Sequence, residues 1–183
     1  MVRSDGLSQW QQIVSSHMPQ LSKPQASVLA LWSFGMVLAQ SCGLSSVAAT
    51  LAPLLGKHEA TVRQQLREWC YEVPRKAGAK RGVKRQALDV SNCFAPLLRW
   101  VLTWWPSTER RLALAMDAST LGQRFTVLAI SIIYRGCAIP IAWLVVPATT
   151  KGAWRPHWEA LFTALSDVVP PDWTVIVLAD RGL

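Results

Sequence analysis

The chain has 183 residues, 51% of them apolar and 16% charged, with 19 Lys and Arg against 11 Asp and Glu for a formal charge of +8. At this length a folded chain buries about 70% of the surface its unfolded form exposes, enough for one ordinary domain or two small ones. The low charge fraction and the ten tryptophans exclude intrinsic disorder for most of the sequence.

The amino terminus, MVRSDGLSQWQQ, lacks the charged-then-apolar layout of a secretory leader. Cys42, Cys70, Cys93 and Cys137 contain no C-x-x-C pair, so neither a zinc ribbon nor a thioredoxin motif is present, and a reduced, cytoplasmic chain is expected. No charge occurs between Lys23 and Lys57. The apolar stretch 27–44 is interrupted by Ser33, Gly35, Gln40 and Ser41, and a membrane span needs about 20 mostly apolar residues, so a buried core helix is expected and no membrane.

The first part of the chain reads as helical. Residues 26–40 suit a buried helix stopped by Gly43, and Ser46 is an N-cap candidate for the next one, in which Val47, Leu51, Leu54 and Leu55 share a face. Gly56 breaks that helix. A further helix from about Glu59 places Val62, Leu66, Trp69 and Val73 on one side and Arg63, Gln64 and Arg67 on others. The pair is a helix-turn-helix-like unit whose second member presents Thr61, Arg63, Gln64 and Arg67 to a major groove, with plain helix packing as the bland alternative. Arg75, Lys76, Lys80, Arg81, Lys84 and Arg85 follow, interleaved with Gly78 and Gly82 and with no acid between them. Such an arm neutralises phosphates and is expected to bind DNA with steep salt dependence. A short amphipathic helix over 91–105 ends before Pro106, and the domain boundary is placed near Arg110, dividing the chain into 1–110 and 111–183.

Beyond the boundary the period changes to that of strands. Residues 111–117 (RLALAMD) form an apolar run ending in an acid, and 125–134 and 137–146 flank Arg135 and Gly136 as a tight hairpin. Pro140 makes the second hairpin strand an edge strand. A helix over 154–168 precedes DWTVIVLAD (172–180), a run of the kind buried on both faces of a sheet. A helical crossover allows this last strand to lie parallel to the first, which sets Asp117 and Asp180 side by side at one sheet edge, each followed by a turn. Two anions so close repel, and Mg²⁺ or Mn²⁺ would neutralise them. The fold class is therefore α plus α/β, a helical DNA-binding segment followed by a mixed sheet.

Charge follows the same division: residues 1–116 hold 14 Lys and Arg against 6 acids, and residues 117–183 hold 5 against 5. Trp154, Trp158 and Leu161 share a helical face and read as core rather than as a stacking platform. His17, His58 and His157 form no cluster and are given no metal role.

In their order and spacing, LAMDAST, the hairpin with YRG at its turn, KGAWRPHWEAL and TVIVLADRGL resemble the DDE transposases of bacterial insertion sequences, whose catalytic domain is ribonuclease H-like. The resemblance covers residues 110–183, and the basic helical segment before it is similar to the end-binding region of those enzymes. It implies that Asp117 and Asp180 are the first and second metal-binding acids of an Mg²⁺- or Mn²⁺-dependent DNA transposition reaction. The partners implied are double-stranded DNA at transposon ends and, as an open alternative to a monomer, further copies of the chain. The family also needs a third carboxylate in a downstream Tyr, Arg, Glu, Lys signature, whereas this sequence ends at Leu183. A truncated sheet, exposed apolar surface along its last strand and no strand transfer by this polypeptide alone are therefore expected. Two alternatives stand beside this reading. One is a DNA-binding or regulatory protein without catalysis; the other is a ribonuclease H-type nuclease using Glu159, whose ordinary role would be a surface pair with Arg155.

Overall fold

In the computed structural model, residues 2–71, 87–150 and 154–180 are described, and the chain divides into two units, Met1–Asp89 and Val90–Leu183. The described residues of the first unit form four helices: α1 (Val2–His17), α2 (Lys23–Ala39), α3 (Leu44–Leu55) and α4 (Glu59–Trp69). Helix α2 starts where the Ser22 amide donates to Gln25 Oε1 at 2.9 Å, with Pro24 in the first turn where its missing N–H costs nothing. It ends at Gln40, left-handed at φ 47°. Gly56 caps α3 at φ 60°, the position at which a stop is expected from the sequence.

Leu31 of α2, Val47, Ala48 and Leu51 of α3, and Val62 and Leu66 of α4 form the core of this unit, with Trp32 and Trp69 edge to face at 6.1 Å. Helix α2 buries a stripe rather than its whole circumference: Ala26, Ala30, Leu31 and Gly35 are buried while Val37 is 75% exposed. No single described helix is long and apolar enough to cross a membrane, and α2 and α3 meet at a bend of 99°. Helix α1, not anticipated from the sequence, buries Val14, and its Trp10 indole donates to Ser33 Oγ at 2.8 Å.

The second unit opens with a 3-10 turn, Ser91–Cys93, and α5 (Phe94–Leu102). Strands β1 (Arg111–Leu121), β2 (Phe125–Tyr134) and β3 (Cys137–Pro147), helix α6 (Arg155–Ser166) and β4 (Thr174–Ala179) follow. The sheet is mixed, in the order β3-β2-β1-β4, with β1–β2 and β2–β3 antiparallel and β1–β4 parallel. Arg135 and Gly136 turn the hairpin at φ 49° and 81°, both left-handed as a two-residue turn between right-twisted strands requires. Pro140 lies on an edge strand as expected, beside a register shift at Ile130/Ser131.

Alternation along β1 and β2 puts Leu112, Leu114, Leu128, Ile130 and Ile132 on one face, where they pack with Leu98 and Val101 of α5 and Trp158, Leu161 and Leu165 of α6. Each such aliphatic side chain removed from water contributes roughly 1.5–3 kcal/mol, which makes this layer the main driving force of the unit. At the start of β1 the Arg111 guanidinium donates to Glu109 at 3.0 Å and holds that carboxyl below its ordinary pKa.

Three features differ from the sequence reading. The division falls at Asp89/Val90 rather than near Arg110, because Phe94, Leu98 and Val101 bury in the sheet core. Strand β1 continues four residues beyond Asp117, since residues 118–121 pair with 125–128 of β2. Strand β4 is not buried on both faces: it is an edge strand with Val175, Ile176, Val177 and Leu178 between 41% and 53% exposed, as expected for a last strand with nothing beyond it among the described residues.

Gly35 supplies the close approach of α2 to α3: a Cβ there would meet Leu51 Cδ1 and Val47 Cγ1 at 2.7 Å. Alanine gains up to about 1 kcal/mol of helix propensity, but overpacking of this kind costs about 1–3 kcal/mol. Gly35→Ala is expected to destabilise the helical unit by about 1–2 kcal/mol net, read as a lower urea midpoint; an unchanged or raised midpoint would show that α2 and α3 separate freely.

Candidate active site

The parallel β1–β4 ladder runs from Arg111↔Thr174 to Met116↔Ala179, a constant offset that brings Asp117 and Asp180 to the next position of the same register. Asp117 alternates away from Leu112, Leu114 and Met116 and is exposed on the face opposite α5 and α6. Asp180 is likewise exposed, directly after β4. Neighbouring strands lie about 4.8 Å apart, so the two carboxylates start from adjacent backbone positions on the open side of the sheet. At about 5 Å two such anions repel by roughly 1 kcal/mol in water and about 3 kcal/mol where the effective dielectric is near 20. A divalent cation between them would reverse the sign of that term.

Asp117 lies one position past the parallel ladder but does not end its strand. Its Oδ2 accepts a short hydrogen bond from the Ser119 hydroxyl, two residues on and on the same face. The spacing D-x-S on a strand carries this contact in the sequence, but reading AST as a turn hides it. Sharing one carboxylate oxygen with Ser119 fixes the Asp117 side chain and leaves its other oxygen to face a ligand.

The donor set suits a hard cation. Carboxylate oxygens are the preferred ligands of Mg²⁺ and Mn²⁺, and Mg²⁺ is ordinarily held by one or two carboxylates together with substrate phosphate and water. Among the described residues no group of three or more His, Cys, Asp or Glu side chains is arranged to hold a metal. Glu159 accordingly does not complete a triad; its Oε1 accepts from Arg155 Nε at 2.7 Å, one helical turn away. Trp158 and Leu161 of the same helix are core, and Trp154 packs against it.

The candidate DNA-contacting residues divide into two groups. Arg63 and Arg67 lie on the exposed face of α4, opposite buried Val62 and Leu66. Arg67 Nη2 donates to Gln64 Oε1 at 2.7 Å, Gln64 Nε2 donates to Glu68 Oε1 at 2.8 Å, and the Arg67 guanidinium lies 5.8 Å from the Tyr71 ring centroid. Arg75, Lys76, Lys80, Arg81, Lys84 and Arg85 lie outside the described residues. No family model, curated protein or solved structure matches the chain.

With both partners of the Arg155–Glu159 pair mostly exposed, the interaction is worth less than about 0.5 kcal/mol. Glu159→Gln is expected to leave the thermal midpoint and the Mn²⁺ affinity of the full chain unchanged. A fall in Mn²⁺ affinity, followed by electron paramagnetic resonance of the free ion, would return Glu159 to the site.

Proposed function

We propose that the chain acts on double-stranded DNA in the cytoplasm as part of an insertion-sequence DDE transposase, with the sheet of its second unit as the ribonuclease H-like catalytic scaffold and Asp117 and Asp180 as two of its acids. The observation that carries this reading is the combination of strand order and register. Three antiparallel strands are followed by a helical crossover and a parallel return beside β1, with an acid at the next register position on each of the two parallel strands. Ligands of open α/β sheets gather beyond the carboxyl ends of such strands.

In this role Asp117 and Asp180 would hold a divalent cation, with Ser119 orienting Asp117. When bound, Mg²⁺ or Mn²⁺ would lower the pKa of the attacking water or DNA hydroxyl and stabilise the leaving 3′-oxygen. The attacking oxygen forms the new bond to phosphorus as the bond to the 3′-oxygen breaks, and the proton leaves with solvent. The exposed Arg63 and Arg67 of α4, together with the basic residues between Arg75 and Arg85, supply contacts to DNA.

Two carboxylates without a third acid among the described residues favour a narrower activity for the chain by itself: metal-assisted DNA binding without strand transfer. This also supports the second reading, a DNA-binding protein without catalysis, which differs in requiring no metal. The two are separated by fluorescence anisotropy of a labelled duplex in Mn²⁺ and in EDTA. Affinity is expected to rise at least fivefold with Mn²⁺ and to lose that increment in Asp117→Asn and in Asp180→Asn, with EDTA affinity retained. Equal affinity in both buffers would overturn the catalytic-scaffold reading, and strand transfer abolished by Asp117→Asn would show that two acids suffice.

A further inference from the structure

Helix α4 turns a polar stripe outward. With Val62 and Leu66 buried against α3, the helical period puts Ala60, Gln64 and Arg67 on the side farthest from the core, flanked by Thr61 and Arg63, and all five are exposed. None of the exposed large apolar side chains among the described residues lies on α4, so a protein partner would find no apolar anchor there. Helix α4 follows α3 after three residues opened by Gly56 at φ 60°, the short glycine turn of a helix-turn-helix pair, whose second helix enters a major groove. Gln64 is the sixth of its 11 residues, and on the same stripe only the small Ala60 precedes it, so no bulky side chain holds the helix off the base edges.

The Gln64 carboxamide is held from two sides. Arg67 Nη2 donates to its Oε1 at 2.7 Å, and its Nε2 donates to Glu68 Oε1 at 2.8 Å. A guanidinium only donates and an ionised carboxylate only accepts, so these partners fix which end of the amide is oxygen; turned over, both contacts would be repulsive. The Arg67 guanidinium is itself placed 5.8 Å from the Tyr71 ring centroid. After these contacts Oε1 keeps a second lone pair and Nε2 a second N–H, an acceptor and a donor side by side. That pair complements the major-groove edge of adenine, which offers the N6 amino donor and the N7 acceptor. Guanine presents two acceptors there, cytosine an amino donor, and thymine an acceptor beside a methyl group, so adenine alone takes both. An amide already oriented by its neighbours loses little rotamer freedom on meeting the base.

We propose that Gln64 is a specificity-determining residue that reads one adenine in the major groove through the remaining positions on Oε1 and Nε2, with Arg67 and Glu68 as positioning residues that orient its amide. The inference rests on the proposed function, in that it takes double-stranded DNA to be the ligand of α4, but it requires neither the metal nor Asp117 and Asp180. The test selects bound duplexes from a library with a randomised central segment, using the full chain in EDTA, and compares the base frequencies with those selected by variants. The unaltered chain is expected to enrich adenine at one position by at least about fivefold over each other base, the lower end of what a bidentate contact discriminates.

Gln64→Leu keeps the length of an exposed side chain and removes both polar atoms; it should erase the preference at that position alone and retain affinity for unselected library DNA. Glu68→Leu leaves Gln64 in place but lets its amide turn, and should weaken the adenine preference, whereas Glu68→Gln, whose Oε1 still accepts from Nε2, should restore it. A merely helix-stabilising network would change the thermal midpoint in these variants without moving the base frequencies. The proposal is overturned by selected sequences without an adenine preference, by a preference that survives Gln64→Leu or is untouched by Glu68→Leu, or by a Gln64→Leu variant that loses affinity for all sequences alike, the mark of a phosphate contact. Failure of the unaltered chain to bind any duplex would overturn the proposed function as well; duplex binding without a Gln64-dependent base preference overturns this inference alone.

Discussion

The geometry of the second unit depends on one ladder, the parallel pairing of β4 with β1. Parallel strands need a crossover, and α6 supplies it by burying Trp158, Leu161 and Leu165 on the α5 side of the sheet. The register is pinned at the end remote from the acids, where the Thr174 amide donates to the Arg110 carbonyl at 2.8 Å and Arg110 Nη1 bonds Asp172 Oδ2 at 2.7 Å. That ion pair is exposed and worth little by itself; the repeating backbone bonds carry the alignment. A slip of one residue would turn every β4 side chain to the opposite face and take Asp180 away from Asp117. The position of two exposed carboxylates is thus decided by an apolar crossover helix and by contacts at the far end of the strands.

The parts of this fold legible in the sequence are those fixed by local chemistry. Arg135 and Gly136 between two β-branched runs specify a left-handed two-residue turn, Pro140 cannot donate to a central ladder, and Gly56 ends α3 where a left-handed residue is needed. Helix α4 shows its buried side through Val62 and Leu66. The parallel return of the last strand and the neighbouring acids also follow from the order of elements. Helix α1 was legible in principle, since Leu7, Trp10 and Val14 recur at spacings of three and four, but its weak apolar character gives little signal.

What was not legible depends on partners distant in sequence. Pro106 and the charges around it mark a loop, yet α5 belongs with the sheet because its apolar face is completed by the sheet and α6, which follow it in the sequence. The AST after Asp117 has turn-forming residues and still continues β1, because the open face of a sheet tolerates polar side chains and β2 is long enough to pair with them. The run TVIVLA has the composition of a strand buried on both faces, but its burial depends on how many strands and helices lie beyond it, and no local pattern carries that number. The same uncovered surface is what the sequence reading expected along the last strand.

Charge and apolar surface are arranged differently in the two units. Residues 1–89 hold 11 Lys and Arg against 5 acids, and residues 90–183 hold 8 against 6, so the long-range attraction for a polyanion originates in the first unit. The second is close to balanced, and three of its arginines, Arg110, Arg111 and Arg155, are already engaged with Asp172, Glu109 and Glu159. Asp117 lies on the open sheet face, with Ser119 as the neighbour that orients it, and in the proposed role carboxylates so placed would suit a divalent ion. In the proposed role, affinity for the polymer and affinity for the ion would then be set by different residues, and neither would have to be traded against the other.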